Sequence, residues 1–318
     1  MSAERVHRTT HQVSVAAPAG VVYGLIADAL RWPLFFTPTV HVEQLEFDGG
    51  RERLRMWATA NGRVTSWTSR RTLDPQHRRV AFRQELPAAP LRSMAGTWTV
   101  DALTPDRCRL TLLHDFTVDG DRLDEVAWVR RATDTNSRAQ LDDLRHLAER
   151  WGRLDDLVLS FEDTVRVHGP AELVYDLLYR IGDWPELFEH VTRLDHTEDE
   201  PGVQIMSMDT RTPDGPSHTT RSVRICFPHA GRIVYKQTAT APLLAAHTGE
   251  WSVVPDERGV TVLAQHSVVL REENITTVLG EHADVHQARR HVRQVLGRTS
   301  TTILGLARRH AHSAVTLL

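Results

Sequence analysis

The chain has 318 residues, of which 41% are hydrophobic and 25% charged, an ordinary composition for a globular protein. Its net charge of −3 and pI near 6.7 argue against nucleic-acid binding, which normally needs a basic surface. No apolar stretch approaches the roughly 20 residues of a membrane span, and the N-terminus lacks the apolar core of a signal peptide.

The first residues predict a strand followed by two helices. Val13 and Val15 alternate with polar neighbours, which indicates a strand with one buried face. A helix is expected to begin at Pro18, because proline suits a first helical turn. The Trp32-Pro33 pair is expected to interrupt that helix, because the residue before a proline avoids helical geometry. A short second helix then carries the two phenylalanines that follow.

Residues 40–118 predict six antiparallel strands, since short alternating runs are separated by turn residues. Asn61-Gly62 is a strong signal for a two-residue hairpin. Residues 122–151 then predict one long helix, with leucines at spacings of three and four along its apolar stripe.

The chain repeats this pattern. Residues 13–36 and 165–188 share 10 identities in 24 positions at an offset of 152. Later segments align with a slip of one residue, so that Gly96 matches Gly249. The period equals a whole domain and is too long for a solenoid repeat of roughly 20–50 residues.

We therefore expect an α+β protein with two tandem domains, residues 1–152 and 160–318. Each domain is a curved antiparallel sheet wrapped around a long C-terminal helix, which leaves an internal cavity. The second long helix is expected over about 282–310.

Little in the sequence fits metal or cofactor chemistry. His282 and His286 have helical i, i+4 spacing, but no third ligand is evident, so a solvated helix face is favoured. Gly-rich phosphate loops, nucleophile elbows and paired-Cys spacings are missing from the sequence. We expect neither a cofactor nor a metal. Cys108 and Cys226 do not match between the halves, so a disulfide is not expected and a cytoplasmic location fits.

The predicted strand over 64–73 is the richest in chemistry. Trp67, Ser69 and Arg71 alternate, so their side chains share one face. An aromatic ring, a hydroxyl and a guanidinium side by side suggest the wall of a ligand cavity. The alternative is an exposed strand with a surface tryptophan and a solvated arginine, because arginines are seldom buried unpaired.

The strand before Trp-Pro, the Trp67-x-Ser69-x-Arg71 strand and the long terminal helix resemble the polyketide aromatase/cyclases of bacterial type II polyketide synthases. These proteins belong to the START-like helix-grip superfamily. The resemblance covers essentially the whole chain, once per half, as in the di-domain subfamily. It implies that Arg71 binds and polarises a substrate ketone and that Arg83 is a further pocket arginine.

The resemblance implies regiospecific aldol cyclisation of a poly-β-ketone between its seventh and twelfth carbons, followed by dehydration and aromatisation. The expected partners are an acidic acyl carrier protein that holds the substrate and the other synthase components. The sequence departs from the family in two respects, a missing tyrosine and a change in the second half given below. The tyrosine that follows Trp-Pro in the relatives is replaced by Thr39 and Val191. A phenol acid is therefore not available there.

The chemistry of cyclisation fits these residues. The substrate's α-hydrogens are already acidic, so the enzyme mainly has to fold the chain and stabilise oxyanion character at the attacked carbonyl. A permanently charged guanidinium suits the second task, and Ser69 is a candidate for positioning a carbonyl or water. The expected flat apolar wall consists of Trp67, Trp32, Phe36 and Trp98.

The second half keeps Ser222 and Arg224 but has Thr220 where the first half has Trp67. Two roles stay open for its cavity, dehydration of the product or mere support of the first half. His114 and His266 recur at equivalent strand positions, as hydrogen-bonded core histidines or as proton carriers in a substrate pocket.

Two rival functions remain. One is a dehydratase/aromatase that acts on an already cyclised, ketoreduced polyketide. The other is a non-catalytic carrier of a hydrophobic ligand in the same cavity, because the fold alone is shared with lipid carriers.

Overall fold

The computed structural model describes residues 5–189, 191–211, 218–257 and 259–316. The chain divides into two compact units, Met1–Leu154 (unit 1) and Asp155–Leu318 (unit 2). In each unit the described strands form one seven-stranded antiparallel sheet. Within the described part of the chain, no helix combines the length and apolar character that a membrane crossing needs.

Unit 1 has the predicted order of one strand, two short helices, six strands and a long helix. Its sheet order is β1-β7-β6-β5-β4-β3-β2. The bounds are β1 His7–Val15, α1 Ala19–Ala27, α2 Trp32–Phe35, β2 Thr39–Phe47, β3 Arg51–Ala60, β4 Arg63–Asp74, β5 Arg79–Leu86, β6 Leu91–Thr104, β7 Arg107–Val118 and α3 Leu123–Ala148.

Unit 2 begins within a short helix and then repeats the same sheet order, β8-β14-β13-β12-β11-β10-β9. The bounds are α4 Leu154–Leu157, β8 Val158–Val167, α5 Ala171–Tyr179, α6 Trp184–Leu187, β9 Val191–Glu200, β10 Val203–Thr210, β11 His218–Phe227, β12 Arg232–Ala239, β13 Leu244–Asp256, β14 Gly259–Leu270, α7 Ile275–Leu279 and α8 Val285–Thr316.

The extra helix α7 lengthens the connection before α8, so the two long helices match at an offset of 163 rather than 152. The buried residues Val129, Ser137, Leu141, Leu144 and Ala148 of α3 then correspond to the buried residues Val292, Ser300, Leu304, Ala307 and Ala311 of α8. Each helix covers its sheet with an apolar stripe, as the spacing of three and four predicts.

Two local predictions have different outcomes. Asn61 and Gly62 both have positive φ, 49° and 79°, as the hairpin between β3 and β4 requires. The expected break at Trp32-Pro33 is wrong, because the chain leaves α1 at Asp28 and Trp32 is already helical. Proline is tolerated in a first turn, where its missing N–H has no partner to lose, so this pair begins α2.

Candidate functional site

A cavity of about 160 Å³ lies in unit 1, lined by the sheet, the segment around α2 and the long helix α3. Its aromatic lining residues are Trp32, Trp67, Phe82, Trp98 and Trp128, and its polar lining residues include Ser69, Arg71, Gln84, His114, Asn136, Ser137 and Gln140.

Strand β4 contributes three of these residues by simple alternation. Trp67, Ser69 and Arg71 all border the cavity, whereas Arg70 between them is exposed. The predicted shared face is therefore present, and the alternative of a solvated arginine is wrong. Arg71 is 2% exposed.

The guanidinium of Arg71 is held by the protein itself. Its Nη2 donates to the carbonyl oxygens of Ile26 (2.8 Å) and Ala27 (3.2 Å), the carbonyl groups at the end of α1. Its Nη1 lies 3.1 Å from Oε1 of Glu52, and the group stacks over Trp32 at 4.8 Å. Cations stabilise helix C-termini, so these contacts anchor α1.

Arg71 stays charged at neutral pH. Burial lowers its pKa to about 10, against the opposing effect of the Glu52 carboxylate. Its Nε and Nη1 have no hydrogen-bond partner among the described residues, and the contact of Nη1 with Glu52 is an ion pair only, so N–H groups of a charged side chain remain unused in a residue that borders the cavity.

Unit 2 repeats this anchor with one change. Nη2 of Arg224 donates to the carbonyl of Leu178 (2.6 Å), and Nη1 donates to Oε1 of Gln204 (2.8 Å). The guanidinium lies 5.5 Å from the Trp184 ring, and burial lowers its pKa. Gln204 corresponds to Glu52, so an amide replaces the carboxylate.

The sequence analysis missed both Glu52 and Gln204. A signal was available, because a buried arginine needs an acceptor and these two residues match at the offset of 152.

The tryptophans of the two Trp-Pro pairs make equivalent hydrogen bonds in the two units. Nε1 of Trp32 donates to the carbonyl oxygen of Leu25 and Nε1 of Trp184 to that of Leu177, each at 3.2 Å.

The structure places the two predicted serines inside the sheets and the side chain of Arg83 outside the cavity. Ser69 Oγ donates to the backbone carbonyl of Arg83 (3.2 Å), so its hydroxyl proton is used within the sheet. Ser222 is buried in unit 2. The expectation of Arg83 as a pocket arginine is wrong, because its side chain is exposed while its neighbours Phe82 and Gln84 face the cavity.

Gln84 is a site residue that the sequence analysis missed. Its Oε1 is buried and has no hydrogen-bond partner in the described part of the chain. Alternation along β5 was the signal that separates it from Arg83.

The aromatic wall is only partly as expected. Trp32 and Trp98 border the cavity. Phe36 is not among the lining residues, which corrects its predicted place in the wall. It is 1% exposed and packs behind that wall, with its ring 5.0 Å from Trp32 and 6.4 Å from Trp98.

His114 also borders the cavity and is partly buried. Its ring lies 5.4 Å from Phe82 in an edge-on arrangement. The Nδ1 atom has no hydrogen-bond partner among the residues described, so a hydrogen-bonded core histidine does not describe it. Burial and, to a smaller extent, the charge of His11 lower the pKa of His114 to about 4, against the opposing effect of Asp115.

His266 is, by contrast, a hydrogen-bonded core histidine. Its Nε2 lies 2.6 Å from Oγ of Ser300, and its Nδ1 lies 2.9 Å from the Tyr235 hydroxyl and 3.0 Å from Nε2 of His247. Burial lowers the pKa of His266 to about 4 and that of His247 to about 3. Both rings are thus neutral at neutral pH.

Unit 1 keeps only half of this network. Ser137 corresponds to Ser300 in the helix alignment, but Phe82 stands in place of Tyr235 and Met94 in place of His247. The loss of both partners explains why Nδ1 of His114 is unpaired.

Within the described ranges, no three His, Cys, Asp or Glu side chains form a group that could hold a metal ion. His282 and His286 are both exposed, consistent with a solvated surface.

The chain was compared with known proteins. Residues 15–140 match the family model described as polyketide cyclase/dehydrase and lipid transport. The chain is 42% identical to the granaticin polyketide synthase bifunctional cyclase/dehydratase of Streptomyces violaceoruber over 310 residues, 97% of this chain and 94% of the relative. The actinorhodin polyketide synthase bifunctional cyclase/dehydratase of Streptomyces coelicolor is also 42% identical, over 99% of this chain and 98% of its own.

The chain belongs to the family of polyketide synthase bifunctional cyclase/dehydratases. A solved structure agrees: the di-domain ARO/CYC BexL from the BE-7585A biosynthetic pathway has a TM-score of 0.84 and 45% identity, and the match covers 96% of this chain and 98% of BexL. The predicted resemblance, the tandem helix-grip fold and the classification as a polyketide cyclisation and dehydration enzyme are confirmed.

Proposed function

We propose that this polyketide cyclase/dehydratase closes the first ring of an acyl-carrier-protein-bound poly-β-ketone in the unit 1 cavity. The reaction is an intramolecular aldol addition between C7 and C12, followed by dehydration and aromatisation. The observation that carries the proposal is the partly open cavity of about 160 Å³ between aromatic walls.

The cavity volume supports formation of one ring at a time. An apolar protein cavity of about 150 Å³ is enough to hold a benzene molecule. A space of about 160 Å³ therefore suits a single six-membered ring, with the rest of the chain outside it. Tryptophan walls at Trp32, Trp67 and Trp98 favour a flat product over a puckered one.

Three polar groups supply the chemistry in this proposal. Arg71 offers its unused Nε–H to the oxyanion that forms at the attacked carbonyl. His114 is neutral and borders the cavity, so a ring nitrogen can accept the α-proton. Gln84 orients a substrate enol or hydroxyl through its free carbonyl oxygen.

For unit 2 we propose a supporting role rather than dehydration. Both terminal nitrogens of Arg224 are bound within the protein, and both nitrogens of His266 have partners. The arginine and histidine that match Arg71 and His114 therefore have partners within unit 2, whereas Gln237, which matches Gln84, keeps an unpaired buried Oε1.

The proposed carrier contact is on α8. This helix has six arginines and no Asp or Glu, although the whole chain is acidic. Arg290 and Arg298 are exposed and line an open groove. An acidic carrier protein is complementary to that charge. Arg290→Glu with Arg298→Glu should raise KM for the carrier-bound substrate and leave a small thioester analogue unaffected, whereas equal effects on both substrates would argue against this contact.

The central experiment reconstitutes the enzyme with a minimal polyketide synthase and identifies the products, with and without a ketoreductase. Ala132→Phe fills the cavity and should abolish the C7–C12 product, and His114→Asn should reduce it strongly. Arg83→Ala, on the exposed face of β5, is the matched control and should behave as wild type.

The same experiment distinguishes the rival functions. Turnover only after ketoreduction identifies the dehydratase of a preformed ring. Ligand binding without any new product identifies a carrier. Full activity in Ala132→Phe would show that the reaction does not take place in the unit 1 cavity.

A further inference from the structure

A group of polar side chains lies beside His114, on the same face of the sheet. Thr9 on β1 is the cross-strand partner of His114 on β7, and His11 is two residues further along the same face. The cavity lining includes His114 but neither of the two β1 residues.

Three atoms of this group are unpaired. Thr9 Oγ1, His11 Nδ1 and His114 Nδ1 are all buried and have no hydrogen-bond partner among the described residues. One such atom costs about 1–3 kcal/mol when it stays unsatisfied. No two of them are hydrogen-bonded to each other, so a proton passes between them only by a change of side-chain rotamer or through one bridging water.

His11 pairs with a carboxylate on α3. Its Nε2 lies 3.1 Å from Oδ1 of Asp134, and its Nδ1 is buried. A carboxylate only accepts hydrogen bonds, so this contact favours a hydrogen on Nε2. The Asp134 side chain is 34% exposed and therefore links the buried group to solvent.

Unit 2 lacks this path, although it has the same fold. Phe161 replaces Thr9 and stacks on His266 at 5.0 Å. Asp163 replaces His11 and is bound by Arg293. The polar group of unit 1 is thus not a requirement of the helix-grip architecture.

We propose that His11, held by Asp134, relays protons between solvent and His114, with the Thr9 hydroxyl as the bridge. The inference rests on the proposed function of the unit 1 cavity. His114 in its apolar setting is a weak proton acceptor. A second imidazole backed by a carboxylate gives the proton a stable position, the principle by which an aspartate supports a catalytic histidine.

The dehydration step balances in bonds and protons. In the dehydration step a C–H bond next to the carbonyl breaks, a C=C bond forms and the C–O bond of the hydroxyl breaks. One proton leaves the carbon to His114 and passes by way of Thr9 to His11. One proton returns along the same path to the departing hydroxyl, so the step releases one water and no net proton.

The other charged groups near this path are already paired. His7, on the same face of β1, lies 2.7 Å from Asp121. Asp115, next to His114 on the other face of β7, binds Arg8 at 2.7 Å. Neither pair reaches the cavity lining.

The test compares His11→Gln and Asp134→Asn with His7→Gln, which breaks an equivalent histidine–carboxylate pair on the same strand. We measure kcat, KM and the pH profile in H₂O and D₂O, and check folding by circular dichroism. His11→Gln should lower kcat at least about tenfold at unchanged KM and alter the pH profile and solvent isotope effect. Asp134→Asn should have a smaller effect of the same kind, and His7→Gln none.

Wild-type kcat and pH profile in His11→Gln would overturn the relay, as would an equal loss in His7→Gln. If His114→Asn loses activity while His11→Gln keeps it, the relay fails and the proposed function stands. If the wild-type enzyme forms no cyclised product, both fail.

Discussion

Glu52 and Arg71 face each other across strands β3 and β4, with Oε1 of the carboxylate 3.1 Å from Nη1 of the guanidinium. Both residues are almost fully buried, at 6% and 2% exposure. The equivalent pair in unit 2, Gln204 and Arg224, is also buried but contains only one charge. The same anchor therefore exists as an ion pair in unit 1 and as an amide hydrogen bond in unit 2.

This comparison predicts which substitutions of Glu52 unit 1 tolerates. Glu52→Gln recreates the unit 2 arrangement and should change the free energy of unfolding by about 1 kcal/mol or less. Glu52→Leu leaves a buried guanidinium without its carboxylate and should cost about 3–5 kcal/mol. Urea unfolding followed by tryptophan fluorescence measures both, and equal midpoints for the two variants would contradict the prediction.

Two glycines make room for the aromatic rings that differ between the units. A Cβ on Gly96 would clash with the ring of Phe82 and the carbonyl of Leu113, and a Cβ on Gly249 would clash with the Tyr235 hydroxyl. Alanine at either glycine should therefore cost about 1–3 kcal/mol through overpacking.

Only Gly96→Ala should also reduce cyclisation, because Phe82 borders the cavity. Gly50→Ala is the control, since a Cβ there meets nothing within 4 Å. The measurements are urea unfolding and product yield, and loss of product in Gly249→Ala would show that unit 2 takes part in the reaction.

Acid should destabilise unit 2 through its histidine network. Burial lowers the pKa of His247 to about 3 and of His266 to about 4, below the ordinary value near 6.5. The unfolded chain therefore binds more protons as the pH falls. The stabilisation is complete above about pH 6.5. Below that pH it is lost down to about pH 4 for His266 and about pH 3 for His247, by up to about 1.4 kcal/mol per pH unit for each histidine.

His247→Met tests that dependence, because Met94 occupies the equivalent position in unit 1. The variant should lose less stability than wild type between pH 7 and pH 5. Urea unfolding at the two pH values measures the difference, and an unchanged acid dependence would exclude His247 as its source.

The architecture was predictable because it depends on local periodicity and on the duplication. The alternation of Trp67, Ser69 and Arg71 was sufficient to identify one wall of the cavity. Glu52 was not found because its role arises from a cross-strand pairing, and strand register is not visible in a single sequence. Arg83 was misplaced because the resemblance pointed to a residue one position away from Gln84, and one residue in a strand reverses the face.

The histidines illustrate a second limit. His114 and His266 occupy equivalent positions, yet one borders a cavity and the other is fully hydrogen-bonded. The difference arises from the substitutions Phe82 for Tyr235 and Met94 for His247 on neighbouring strands. Matching positions therefore predicted the location of each histidine but not its partners.

Anchoring and catalysis by Arg71 can be separated with a double variant. Arg71→Met alone leaves Glu52 buried without its partner, so loss of activity in that variant would not distinguish a failed fold from failed chemistry. Arg71→Met combined with Glu52→Leu replaces the whole ion pair with apolar groups, which is often neutral for stability. We expect the double variant to unfold at a higher urea concentration than Arg71→Met alone.

If Arg71 also stabilises the oxyanion, the folded double variant should lose cyclisation by about 10²–10³-fold in kcat, the usual effect of removing one such donor. Wild-type cyclisation in a stable double variant would restrict Arg71 to a structural role. Arg71 would then only bind the α1 carbonyls and stack on Trp32. The oxyanion would in that case have to depend on the other polar groups of the lining, of which Gln84 and His114 have unpaired buried atoms.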